Sequence, residues 1–159
     1  MKINNKRIKS YIQSIYLIIG LLFALFLITK LFPIRAFAHI PINIFPIIGL
    51  ILLVITRYRG NQLFEYDSDG EALNFKNEDI VLSNFIASSK KSSEFPKRKL
   101  VSYKVKNSFL KRTLEITITS KKSSTGFTKL KYDISYLKKT EIKGIKKSLD
   151  KVLEENKNV

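Results

Sequence analysis

The chain has 159 residues, with 29 Lys+Arg against 13 Asp+Glu, a net charge of +16, one His, no Trp and no Cys. The missing Cys excludes disulfides and thiolate metal sites, and the length suits a short membrane segment plus one domain of about 100 residues. The charge is uneven: residues 1–59 hold eight basic residues and no acid, whereas residues 60–159 hold 21 basic against 13 acidic residues.

Residues 1–10 are a basic lead containing Lys2, Lys6, Arg7 and Lys9. Residues 11–58 read as a two-helix membrane hairpin. The first crossing is Ile12–Phe32, whose 21 residues at about 1.5 Å each cover roughly the 30 Å of a bilayer core. Lys30 sits at its far end, where a long ammonium side chain snorkels to the headgroups. The basic start and apolar core also have the form of a signal peptide, with Ala36-Phe-Ala38 as a small-x-small cleavage site. The long apolar run, Lys30, Arg35 and the second apolar segment favour a retained helix instead.

Pro33 breaks the first helix, and Ala36–Thr56 forms the second crossing. The short link makes the two helices antiparallel neighbours. Pro46 is expected to kink the second helix by removing an N–H, and Asn43 either fills the vacancy or faces the headgroups. Gly20 and Ala24, four residues apart, allow close approach of a partner helix; Pro46 and Gly49 join them as candidate packing positions. Lys and Arg at the helix ends place both termini in the cytoplasm and the turn outside, with the lone His39 an interfacial residue in or near the turn. The expected location is the bacterial inner membrane.

Residues 60–159 read as a domain. Alternation predicts strands at Gln62–Asp67, Glu71–Lys76, Ile80–Ile86, Lys99–Lys106, Leu110–Thr119 and Phe127–Ile134. Asp67-Ser-Asp-Gly70 is a hairpin turn. Ala87–Glu94, rich in Ser and Lys, reads as a mobile loop, and Ser120–Gly126 as a hairpin loop. Ile142, Ile145, Leu149, Val152 and Leu153 then follow helical spacing, predicting an amphipathic helix that caps an open end of the strands. Gly144 weakens it, as do the late Glu154 and Glu155.

Six or seven antiparallel strands followed by an amphipathic helix is the order of a pleckstrin-homology-like domain. With the membrane hairpin, Tyr66–Glu71, Phe95–Tyr103, Leu110–Ile116 and Ile134–Leu137, the chain resembles the bacterial pleckstrin-homology-like membrane proteins. The resemblance implies a membrane α-helical hairpin followed by an α+β domain, a β-barrel or sandwich with a C-terminal capping helix. It implies no catalytic residue.

Asp67, Asp69, Glu71 and Glu78 have partial calcium-loop spacing, but Ala72 stands where a Gly is required and no helix precedes them, so a β-turn is the better reading. No nucleophile–base pair, carboxylate dyad or phosphate loop is recognisable, which points away from an enzyme and from any cofactor. The basic clusters are the remaining candidates for binding. Lys90, Lys91, Lys97, Arg98, Lys99, Lys121 and Lys122 lie in or beside expected loops and suit anionic lipid headgroups, each basic residue contributing about 1 kcal/mol near an anionic leaflet. Lys111-Arg112 and Lys138-Lys139 add to the positive surface. Nucleic acid is not expected, because the aromatic residues fit inward positions. The functional expectation is a non-catalytic, membrane-anchored binding or scaffolding module whose basic face meets anionic lipid or a protein partner. The alternative is an accessory subunit that contacts other membrane proteins through its hairpin.

Overall fold

The computed structural model describes residues 1–32, 41–80, 90–121 and 123–157. The expected turn at Pro33 and Arg35, Ala36-Phe-Ala38, His39, most of the Ile80–Ile86 strand and Lys122 lie outside the described residues.

The chain begins with a strand, β1 (Lys2–Asn4), and then forms α1 (Ile8–Leu31) and α2 (Ile44–Arg59). Six strands follow: β2 (Gln62–Asp67), β3 (Ala72–Asp79), β4 (Lys90–Pro96), β5 (Leu100–Asn107), β6 (Arg112–Thr119) and β7 (Phe127–Asp133). The helix α3 (Lys139–Lys157) completes the described fold. The strand pairings are antiparallel, in a four-stranded sheet ordered β1-β2-β3-β4 and a three-stranded sheet ordered β5-β6-β7.

The basic lead is therefore structural. Ile3 stands opposite Tyr66 and Asn4 opposite Glu65. The two helices are inserted between adjacent strands of one sheet, so the start of α1 and the end of α2 are held at the same place. Buried Asn5 fixes this junction: its Oδ1 accepts from the Phe64 N–H at 2.7 Å, and its own N–H donates to Phe64 O at 3.2 Å.

Among the described residues α1 alone is long and apolar enough to cross a membrane. α2 has 16 residues, about 24 Å at 1.5 Å per residue. Its start also differs from expectation. Ile42 and Asn43 form a turn before it, and Ile44 N–H donates to Pro41 O at 2.9 Å. Pro46 consequently lies in the first helical turn, where an N–H has no intrahelical partner to lose. The expected mid-helix kink has no cause at that position.

The helices run antiparallel. Phe23 of α1 meets Gly49 of α2, and Tyr16 near the start of α1 meets Asn61 just past the end of α2. The less exposed positions of α1 include Ile8, Ile12, Ile15, Ile19, Leu22, Phe26 and Thr29; on α2 they include Phe45, Gly49, Leu52 and Thr56. Steps alternating between three and four residues are the 3.5-residue repeat of a left-handed helix pair. Thr29 and Thr56 satisfy their hydroxyls on the carbonyls of Leu25 (2.8 Å) and Leu52 (2.7 Å), which makes them compatible with an apolar interface.

The domain core lies between the sheets and α3. Phe64, Tyr66, Leu73 and Phe75 from the first sheet meet Leu114, Ile116 and Tyr132 from the second. Phe75 stacks on Tyr132 at 5.0 Å between ring centroids and on Phe95 at 5.7 Å. Ile145, Leu149 and Val152 of α3 close this core, as their spacing predicts. The strands of Gln62–Asp67, Leu110–Thr119 and Phe127–Ile134 appear within two residues of expectation. Val101, expected inward, is exposed, because a register irregularity between Leu100 and Ser102 turns it out and leaves Leu100 inside. Residues 90–94, expected in a mobile loop, belong to β4. Its backbone pairs along β3 and its Phe95 is buried, so pairing compensates for polar side chains.

Candidate functional site

Strand direction gives the domain two chemically distinct ends. At the end carrying the helices stand the start of β2, the end of β3, the start of β4, the β5–β6 turn and the end of β7. The opposite end holds the Asp67–Gly70 turn, Pro96–Leu100 and the Ser120–Gly126 loop. A strand such as β6, eight residues long, separates them by roughly 23 Å at about 3.3 Å per residue.

The expected basic site is divided by this geometry. Lys90 and Lys91 open β4 opposite Glu78 and Asn77, at the helix-bearing end. Lys97, Arg98 and Lys99 form a 3-10 turn at the opposite end, with Lys121 in the nearby β6–β7 loop. Lys99 and Lys121 line one open cleft with Phe95 and Ile118. Lys97 lines a different cleft with Met1, Ser68 and Lys151. The six of these residues that the structure describes do not form one site. Sequence spacing did not reveal this, because the separation depends on strand pairing.

The Asp67–Gly70 segment is a turn, with Gly70 at φ 73° and Asp69 N–H donating to Asp67 Oδ1 at 3.0 Å. Glu78 lies near the far end of β3, opposite Leu63. Asp69 instead receives the chain's amino group, whose hydrogen bond and charge hold its carboxyl below the ordinary range.

The helix-bearing end is polar and tightly joined. Asn61 donates to the Tyr16 hydroxyl, and the side chains of Asn77 and Gln62 meet at 2.6 Å. Arg57 pairs with Asp79 at 3.7 Å, and Arg59 lies over the Tyr136 ring at 4.8 Å. Gly60 is at φ 90°, and a Cβ there would overlap Asp133 Oδ2. At the domain-side end of α1, Ile8 and Ile12 form a second apolar cluster with Ile80, and Tyr16, Leu63 and Tyr136 pack beside it. These contacts make the hairpin and domain one packed unit at the junction.

Beside that junction, Arg57 and Tyr58 of α2 line an open cleft of about 930 Å³ with Lys104, Lys106 and Lys111 from the β5–β6 hairpin. Phe109, at the hairpin tip, is 92% exposed. No sequence pattern marks Phe109, because a single aromatic between Ser108 and Leu110 carries no periodic signal.

The expected helix-packing positions also separate. Gly49 lies between the helices, against the Phe23 ring. Gly20 has no atom within 4 Å of the place a Cβ would take, and both it and Ala24 are exposed on the outer surface of the hairpin. Pro46 is half-buried in the first turn of α2. Comparison with known proteins finds no matching family model, no matching curated protein and no matching solved structure.

Proposed function

We propose that this chain is a membrane-anchored, non-catalytic binding or scaffolding module of the pleckstrin-homology-like type. Its α1–α2 hairpin lies in the bacterial cytoplasmic membrane, and its domain and both chain ends lie in the cytoplasm. The observation that carries this reading is the outer surface of the hairpin. Leu17, Leu21, Leu27, Leu31, Leu50 and Val54 are each at least 56% exposed, and together they form an apolar surface that water does not tolerate over such an area. Lys6, Arg7, Lys9, Arg57 and Arg59 flank the domain-side ends of both helices, the arrangement that keeps that side cytoplasmic. The seven described antiparallel strands followed by α3 support the pleckstrin-homology-like assignment.

In this orientation Lys97, Arg98, Lys99 and Lys121 point away from the anchoring membrane. They serve an acidic protein partner approaching from the cytoplasm, while the helix-bearing end meets lipid. The test is extraction of native membranes. The full chain should stay with the membrane through carbonate and high salt and leave it only in detergent; release by salt alone would refute the anchor.

A second reading, an accessory subunit of a larger membrane complex, draws support from the outward position of Gly20. Gly20→Leu should then lose co-purifying membrane proteins while leaving the fold intact; unchanged partners would remove that interface.

A further inference from the structure

We propose that the β5–β6 hairpin is a second membrane contact, in which Phe109 enters the lipid interface and the cleft behind it takes anionic phospholipid headgroups. This rests on the hairpin α1–α2 being the membrane anchor.

The geometry supplies three independent supports. First, Arg57 and Tyr58 belong to the last turn of α2 and line the same cleft as Lys104, Lys106 and Lys111. The flanks of the β5–β6 hairpin therefore stand beside the last turn of α2, and its tip lies at the same end of the domain as the helices. Second, Phe109 is 92% exposed although it is a large apolar side chain. Water makes that position unfavourable, whereas an apolar phase favours a Phe side chain.

Third, the cleft is lined by cations. Among the described residues no carboxylate lines it. The carboxylates that pair with its cations sit behind it and are largely covered: Asp79 is 12%, Asp133 5% and Glu115 17% exposed. Their partners Arg57, Lys111 and Lys106 remain 61%, 45% and 53% exposed. Each cation keeps a face for a phosphate oxygen, and Tyr58 suits the headgroup region. An apolar tip rimmed by cations matches an anionic lipid surface more closely than it matches a protein groove, because it continues the belt where the anchor ends.

The natural sequence contains no Trp, so a single introduced Trp reports its own surroundings. Phe109→Trp in the full chain should be reconstituted into vesicles containing phosphatidylglycerol, with or without brominated acyl chains. Leu27→Trp serves as the reporter of the anchor, and Phe127→Trp as the reporter of the opposite end of the domain. Expected are a blue-shifted emission from the Phe109→Trp protein and a loss of that emission in brominated vesicles, with no such loss for Phe127→Trp. In purely zwitterionic vesicles the loss for Phe109→Trp should shrink while the loss for Leu27→Trp persists. Quenching of Leu27→Trp with none of Phe109→Trp would overturn the proposal and leave the anchor standing. Absence of quenching of Leu27→Trp would overturn both. Equal quenching of Phe109→Trp with and without phosphatidylglycerol would overturn the headgroup site.

Discussion

Asn5 holds Phe64 on two sides: its carboxamide oxygen accepts from the Phe64 N–H at 2.7 Å, and its backbone N–H donates to the Phe64 carbonyl at 3.2 Å. The residues are separated by the entire helical hairpin, so this short bridge joins the strands on either side of it. It makes the N-terminal segment part of the domain and brings the two helix ends together.

Asn5→Ala should therefore weaken the whole fold. The substitution leaves the buried Phe64 N–H without its acceptor, a cost of about 1–3 kcal/mol. Thermal unfolding of the full chain in mild detergent should show a lower Tm; an unchanged Tm would mean that the bridge is dispensable.

A domain cut from its two helices loses this bridge. Residues 60–159 alone lack β1 and expose the edge of β2, which invites strand addition by other molecules. That fragment should self-associate. Joining residues 1–6 to residue 60 through a short Gly-Ser linker should restore a monomer, as measured by light scattering. A monomeric, stable fragment without residues 1–6 would contradict the role of β1.

Two glycines should respond differently to alanine. Gly60 has φ 90° and sits against Asp133, whereas Gly126 has φ 73° and open space around it. Both substitutions carry a left-handed backbone cost of about 1–2 kcal/mol, and Gly60→Ala adds a clash with a buried carboxylate. Its Tm loss should be clearly the larger, and equal losses would argue against a rigid junction.

Acid should loosen the domain in a defined direction. The Glu141 carboxyl is partly buried, which raises its pKa, but its bidentate bond with Arg7 (2.8 and 3.0 Å) and the Lys138 N–H outweigh burial and hold it below the ordinary value. The Glu115 carboxyl is held low chiefly by its hydrogen bond with Lys106. For both, the folded state binds the proton less readily than the unfolded chain. Their stabilisation is present above the ordinary Glu pKa of about 4.3 and is lost as pH falls through the folded value. Unfolding midpoints should drop below about pH 4.5, and Glu141→Gln should flatten part of that slope.

Much of the domain was readable from its residues. In β6, Leu114 and Ile116 alternate with polar residues because one strand face is buried, and α3 is readable because Ile145, Leu149 and Val152 repeat at helical spacing. Four features were not readable. β1 is only three residues long and finds its partner across the hairpin, so no local pattern marks it. β4 is an edge strand of mostly polar residues, held by backbone pairing to β3 and by Phe95. Gly144 looked like a helix weakness, yet it lies directly over Met1 and Ile3, and a Cβ there would stand 2.5 Å from the Met1 methyl. The division of the lysines between two ends of the domain follows from strand direction, which composition and spacing do not encode.

In the proposed topology the hairpin crosses into the membrane while both chain ends stay with the domain on one side. The chain has no Cys, so single cysteines can be placed at Phe32, near the far end of α1, and at Ser123, in the β6–β7 loop. In intact bacterial cells, a membrane-impermeant thiol reagent should label Phe32→Cys and leave Ser123→Cys unmodified until the membrane is permeabilised. Labelling of Ser123→Cys before permeabilisation, with Phe32→Cys protected, would reverse the proposed orientation and refute this topology.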